Sequence, residues 1–457
     1  MMIYLGTCTA KMEDYQEWTL NEDLPIFSKN SAHHWQINAF KGKNKLQWEC
    51  GTFGALTRPG ASLRTTVMSN LYRSAIGARL SKLPNLPPIP TPHPAVHEEG
   101  EEEEEGEEAD SIGSLPGSGM GPPAMASHST RTRRPPNATF APISAAAFFA
   151  EALQSTVPAS HLDFRVYYTA PKAKDSAGTV MICHHGAGTS GLSFACFAKE
   201  VTDMTEGECG VLALDARRHG KTTPTSDAPN ADLSIGVLVS DLFALIQTLF
   251  PDPTIAPTLI LIGHSMGGSV VTRTCPLLID KKYHVGGVAV LDVVEGSAME
   301  ALPHMHSLLN ARPDGFDSPE EAVEWHVTTN AIQNPTSARV SVPSIVRPAT
   351  NPSPAAPAYE WRTTLRSTAP YWTSWFIGLS ANFLAVRTAR LLVLAGTDRL
   401  DKELMIGQMQ GKFQMVVVPG VGHMLQEDNP TKIAEILVDF WRRNERLLAG
   451  IKKVGEL

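Results

Sequence analysis

The chain has 457 residues and a net charge of −8, enough for a globular domain of about 250 to 300 residues with tails, or for two ordinary domains, and too long for a small disulfide scaffold. One run, Glu98 to Asp110, carries nine Glu and one Asp, so the remainder stands at a net +2. A nearly neutral remainder lacks the basic face on which nucleic-acid affinity rests, and no nucleic-acid partner is expected.

Residues 1 to 67 show little periodicity and read as an extension of doubtful translation, because the basic amphipathic segment from Met68 (SNLYRSAIGARLSKLP follows it) makes a natural start. From Leu83 to Pro135 the composition is Pro, Gly, Ser, Glu and Arg. Such a stretch buries too little apolar surface to offset its ordering entropy, so residues 68 to 135 are expected to be a disordered N-terminal region. The acidic run within it reads as a solvated spacer, and RTRR (131 to 134) is a weak nuclear-import signal.

After Pro135 the pattern changes. Apolar runs of strand length are expected at 164 to 170, 179 to 185, 209 to 215, 258 to 264, 285 to 292, 389 to 396 and 412 to 419, with helices near 233 to 250, 266 to 279 and 430 to 448. Continuous apolar strands alternating with helices predict a mostly parallel sheet covered on both faces, an α/β-hydrolase architecture over 136 to 457. Residues 296 to 388, rich in Trp and mostly helical or irregular in pattern, are expected to form an inserted cap above the strand ends.

The six cysteines, Cys8, Cys50, Cys183, Cys196, Cys209 and Cys275, include no CxxC pair, and four lie within or beside apolar runs. That suits a reduced compartment without structural zinc or a disulfide frame. No window approaches 18 uncharged apolar residues and the first residues lack the features of a secretory signal. A cytoplasmic or nuclear protein without membrane contact is expected, with the sequon at Asn137 unused.

Gly263-His264-Ser265-Met266-Gly267 has the G-x-S-x-G form between a strand and a helix, where a nucleophile sits on a tight turn that tolerates no flanking side chains. A serine hydroxyl needs a base, and His423, after the last strand and a glycine-rich turn, has the chain position for it. Two carboxylates could orient the imidazole, Asp292 and Asp398, both at C-terminal strand ends; spacing alone slightly favours Asp398. Backbone N–H groups for the oxyanion are expected from Met266 and from Ala187 in the loop His185 to Gly188. Asp215 to Gly220 (DARRHG) reads as a brace for the neighbouring loops through Arg–Asp hydrogen bonding. His304, His306 and His326 lack acidic or Cys partners at metal spacing, so no metal is expected.

The segments DVVEGSAMEAL (292 to 302), RLDKELMIGQMQGKFQMVVVPGVGH (399 to 423), YWTSWFIGLS (371 to 380) and GHSMGG closely resemble the protein phosphatase methylesterase family, from about Met68 to about Arg446. The resemblance implies an α/β-hydrolase that removes the methyl ester from the C-terminal leucine of the type 2A protein phosphatase catalytic subunit, without a cofactor. It places the nucleophile on Ser265, the base on His423 and the acid on Asp292, against the spacing preference for Asp398. It also implies that docking of the phosphatase rearranges a poorly organised site and that a groove receives its tail, with Trp361, Trp372 and Trp375 as candidate cap contacts. The long acidic insertion of some family members is replaced here by a short Ser/Pro-rich stretch at 340 to 358. Two rival readings stand beside this one: a small-molecule esterase of the same fold, and a regulatory protein that holds the phosphatase inactive. Nothing in the sequence requires more than a monomer.

Overall fold

The computed structural model describes residues 36–42, 45–51, 133–172, 178–225, 230–396 and 400–450. Nearly all of the expected disordered region, and Asp398, lie outside the described residues. The chain divides into two units, Met1–Met68 and Ser69–Leu457. Within the first, Gln36–Gly42 pairs antiparallel with Lys45–Gly51, a hairpin that the weak periodicity of this region does not announce.

The second unit is built on one large sheet. Its strands are β1 (Glu151–Val157), β2 (Leu162–Thr169), β3 (Thr179–His184), β4 (Cys209–Leu214), β5 (Thr258–His264), β6 (Val285–Leu291), β7 (Ala389–Leu394) and β8 (Gln414–Val417). They run in the order β8-β7-β6-β5-β3-β4-β2-β1, parallel from β8 to β4 and antiparallel across β4, β2 and β1. β3, β4 and β6 are buried along their whole length, which is why they read as unbroken apolar runs. β1 was not legible: as an edge strand most of its EALQSTV sequence is exposed, and no apolar alternation marks it.

Helices α1 (Ala195–Met204), α2 (Ile235–Leu249), α3 (Met266–Asp280) and α4 (Pro430–Gly450) cover the sheet. α2 and α3 pack with one apolar cluster that includes Val180, Leu261 and Val290, and α1 and α4 with the other, around Met181, Ile262 and Leu291. The alternation of neighbouring strand residues between the two clusters is the period-2 geometry of a sheet buried on both faces. Gly268 fits the same logic, because a Cβ there would meet Val290 at 2.9 Å and hold α3 off the sheet.

Between β6 and β7 the chain leaves the sheet. It forms the helices Glu295–Asn310, Pro319–Thr328, Pro335–Ser341, Trp372–Phe376 and Leu379–Ala385. It also forms a small antiparallel sheet of Gly315–Phe316, Tyr359–Trp361 and Val346–Pro348, with its own apolar cluster around Phe316, Val323, Ala338 and Val342. Helices were expected here; strands of two and three residues leave no periodic trace. Trp372 and Trp375 are corrected from surface candidates to core residues, 6% and 2% exposed, with their indole N–H groups donated to Thr368 Oγ1 and Leu233 O. Among the described residues no helix is long and apolar enough to cross a membrane.

Candidate active site

The loops after β3, β4, β5, β6 and β8 meet at the C-terminal edge of the parallel strands, where open α/β sheets place their ligands. Ser265 sits between β5 and α3 with φ 51° and ψ −120°, a left-handed conformation that costs a non-glycine residue of order 1–3 kcal/mol and persists only when surroundings enforce it. They do so here. A Cβ on Gly263 would lie 2.2 Å from Gly267 O, one on Gly267 2.2 Å from His184 O, and one on Gly186 3.1 Å from Ser265 Cβ. The Ser265 N–H donates to Leu291 O at 3.0 Å, tying the turn to the end of β6.

The next residue on β6 is Asp292, also at positive φ (50°) and 1% exposed. Its Oδ1 accepts the Ala395 N–H at 2.9 Å, and its Oδ2 accepts from His423 Nδ1 at 2.9 Å. The carboxylate is therefore fixed by the backbone after β7 and aimed at the imidazole. His423 itself is half exposed, its side chain 48% accessible. Its loop is held from behind by Asp428, whose Oδ2 accepts the Gly422 N–H at 2.7 Å while Oδ1 takes Gln333 N–H at 2.8 Å. No hydrogen bond joins Ser265 Oγ to His423 among the described residues; such contacts are often loose before substrate arrives.

Two further groups frame Ser265. Met266 is the first residue of α3, so its N–H has no intrahelical acceptor and points outward from the positive end of the helix. Ala187 lies in the loop after β3, which buried histidines hold in place. His219 Nε2 accepts the Gly188 N–H at 3.0 Å while its Nδ1 lies 2.8 Å from Arg217 O. His185 Nε2 accepts the Ala216 N–H at 2.9 Å, with Nδ1 2.7 Å from Gly186 O. Each ring must be neutral and protonated on Nδ1 to act this way, an assignment made from the partners. Burial secures it, pushing His219 down to about 4 and His185 well below the usual histidine range.

The DARRHG segment does brace these loops, through more than an Arg–Asp pair. Arg217 makes a buried bidentate contact with Asp241, both bonds 2.7 Å. Asp215 accepts the N–H groups of Gly191 and Lys221 at 2.8 Å each. His326, weighed as a metal ligand, is buried with Nδ1 2.7 Å from Ala322 O, and His306 lies against Trp372.

A residue the sequence reading passed over is His264. It is fully buried, its ring centroid is 4.7 Å from that of His423, and its Nε2 lies 2.8 Å from His423 O. Burial, reinforced by His423, pushes it down to about 3, so at neutral pH it donates the Nε2 proton to that carbonyl and cannot serve as a second base. The turn carrying Ser265 thus grips the backbone of His423. His264→Leu is expected to lower kcat about 10- to 100-fold with KM nearly unchanged, the cost of an imidazole displaced by up to about 1 Å. His264→Gln, which can still donate, is expected to recover part of the loss. Steady-state kinetics of both variants, with thermal melts, check this; equal losses in both would refute the hydrogen bond as the cause.

Residues 181–436 match the model of the alpha/beta hydrolase family. Protein phosphatase methylesterase 1 of Cryptococcus neoformans var. neoformans serotype D is 45% identical over 416 residues, covering 85% of this chain and 96% of its own. The chain belongs to the protein phosphatase methylesterase 1 family. The Aspergillus fumigatus methylesterase 1 is 41% identical over 390 residues, 83% of this chain and 90% of its own. Among solved structures, E-2-(acetamidomethylene)succinate hydrolase superposes at a TM-score of 0.50 with 19% identity, covering 64% of this chain and 99% of that one, a likeness of fold alone. In this methylesterase-family chain, then, Ser265, Asp292, His423, Ala187 and Met266 are gathered at one sheet edge, in the part of the chain that the family shares.

Proposed function

We propose that this carboxylic ester hydrolase removes the methyl ester from the C-terminal leucine of the type 2A protein phosphatase catalytic subunit. Ser265 Oγ attacks the ester carbonyl as His423 Nε2 takes its proton. Asp292 holds the imidazole with Nδ1–H toward its carboxylate and stabilises the imidazolium that forms. The N–H groups of Ala187 and Met266 receive the charge that develops on the carbonyl oxygen. His423 returns the proton to the leaving methoxide, methanol departs, and water activated by the same imidazole releases the leucine carboxylate and regenerates Ser265. No cofactor enters this sequence, and one chain supplies every group.

The observation that carries the reading is the short Asp292–His423 contact at 2.9 Å beside a serine forced into a left-handed turn, in a chain so similar to named methylesterases. Two features favour a macromolecular substrate over a small ester. His423 is half exposed instead of sealed in a pocket. Helix Lys402–Met409 presents Met405, Ile406 and Met409 to solvent, the last 84% exposed, an apolar surface suited to a protein partner. Docking of the phosphatase supplies binding energy that brings Ser265 and His423 into hydrogen-bonding contact, which restricts turnover to the correct ester.

The test is methanol release from carboxymethylated phosphatase catalytic subunit, compared with release from short free esters such as methyl butyrate. Turnover of the phosphatase with a kcat/KM at least about 10³-fold higher is expected. Comparable rates on both would favour the small-molecule esterase, and tight binding without methanol release would favour the regulatory protein.

A further inference from the structure

Beside the oxyanion loop, in the inserted region, lies a cleft of about 270 Å³. Its wall carries three arginines, Arg312, Arg347 and Arg366, against two carboxylates, Asp314 and Glu360. Both carboxylates face the other two arginines of the wall: Glu360 Oε1 takes Arg347 Nε at 2.8 Å and Thr350 Oγ1 at 2.6 Å, and the exposed Asp314 lies 4.0 Å from Arg366. Arg366 is further satisfied by Asn310 Oδ1 and Leu309 O, both at 3.0 Å.

Arg312 is the exception. Its guanidinium carbon lies over the Trp361 ring, 3.8 Å from the centroid, and among the described residues no carboxylate or carbonyl pairs with it. Burial, with Arg366 adding its repulsion, pushes it down to about 10. A partly buried guanidinium without a protein acceptor gives up part of its hydration with no ion pair in exchange. Stacking on the indole recovers part of that and leaves the donor edge free. Trp361 is held in turn by its N–H bond to Pro313 O at 2.8 Å, so the platform is rigid.

The cleft is also connected to the reacting centre. Leu365 lines it, and the same side chain packs on Gly188, where a Cβ would sit 2.6 Å from Leu365 Cδ1. Gly188 follows Ala187 in the oxyanion loop, whose other end, Gly186, abuts Ser265. Two loop residues plus a leucine side chain span roughly 10–12 Å, or about three residues of extended peptide.

Resting on the methylesterase reading above, we propose that Arg312 on Trp361 forms a carboxylate subsite that receives an aspartate or glutamate side chain of the substrate polypeptide, two to four residues before the esterified C-terminus. The planar fork of Arg312 would take the carboxylate side-on, and the net positive lining would favour it over an amide of the same shape. The role is one of substrate selection. It needs no movement of Ser265, Asp292 or His423.

The test uses the full chain as Ser265→Ala, so that esters persist, and fluorescein-labelled hexapeptide methyl esters ending in leucine. One series carries Asp at each of the second to fourth positions before the leucine, a second Asn, a third Lys. The Asp peptide is expected to bind at least fivefold more tightly than its Asn counterpart at one of those positions, the preference shrinking as salt is raised from 50 to 500 mM. In the Arg312→Gln background the preference should fall to within twofold of unity, and in Arg312→Glu it should reverse toward Lys. Equal affinities for Asp and Asn at every position, no binding of any peptide, or a preference that survives Arg312→Gln would each overturn the subsite. The Asp/Asn comparison on the otherwise unaltered chain decides the matter even if the Arg312 variants fail to fold. Methanol release from carboxymethylated phosphatase by the wild-type chain is measured alongside, and its failure would sink the methylesterase reading separately.

Discussion

Replacing Ser265 with alanine is expected to abolish demethylation, lowering kcat by about 10⁵- to 10⁶-fold, the scale seen when an activated serine nucleophile is removed from a serine hydrolase. The change deletes one oxygen that forms no hydrogen bond with His423 among the described residues, and alanine meets the same close walls from Gly186 as serine does. Strain at φ 51° is common to both residues, so the melting temperature should move little. Phosphatase affinity, measured by titration calorimetry, should stay within about threefold of wild type, since no contact of the docking surface is touched. That separation distinguishes enzyme from regulatory protein: if Ser265→Ala binds and still restrains phosphatase activity, the two roles coexist. Retention of more than about 1% of wild-type turnover would remove Ser265 as the nucleophile.

Why Ser265 and His423 stood out in the sequence, and the histidines that hold their loops did not, has a physical explanation. The strand-to-helix turn that carries Ser265 imposes backbone demands that only glycine meets on both sides, so Gly263 and Gly267 mark that turn in the sequence. His423 was legible for a related reason: Gly420 has φ 77°, and the glycine-rich turn between β8 and the helices that follow marks the loop. The central strands were legible because double-sided burial demands unbroken apolar runs.

The supporting histidines are a different case. Whether His185, His219 or His264 is a base, a ligand or a fixed acceptor depends on partners such as Ala216 N, Gly188 N and His423 O. Those contacts lie 31, 31 and 159 residues apart in sequence, and no local pattern encodes them. The same holds for Asp428, which anchors the His423 loop to Gln333 in the inserted region. Trp372 and Trp375 misled because an aromatic in an insertion looks alike whether it faces solvent or, as here, fills the space over α2 and α3. Edge strand β1 and the short strands of the insertion left no period to read.

Spacing alone leaned slightly toward Asp398 over Asp292 and could not decide between them, because both follow the C-terminal ends of strands and β6 and β7 are neighbours in the sheet. Asp292→Asn is expected to lower kcat by about 10⁴-fold, the effect of the corresponding change in a serine protease triad. The cause is a conflict that the amide cannot resolve. Oδ1 of Asp292 takes the Ala395 N–H and Oδ2 takes His423 Nδ1–H, so both partners are donors and only a carboxylate accepts from both. An asparagine that turns its NH2 toward His423 forces the ring proton onto Nε2, where it blocks removal of the Ser265 proton. One that turns its NH2 toward Ala395 sets two donors face to face. The fold should tolerate the change, because Asn accepts the left-handed φ of 50° at least as readily as Asp, whereas Asp292→Ala would confound chemistry with strain. Asp398→Asn is the control, with kcat expected within about tenfold of wild type. Methanol release by both variants, normalised to melts that show each is folded, decides between the carboxylates; a 10⁴-fold loss in Asp398→Asn with near-normal Asp292→Asn would transfer the orienting role to Asp398 and leave the 2.9 Å contact of Asp292 as a resting-state arrangement.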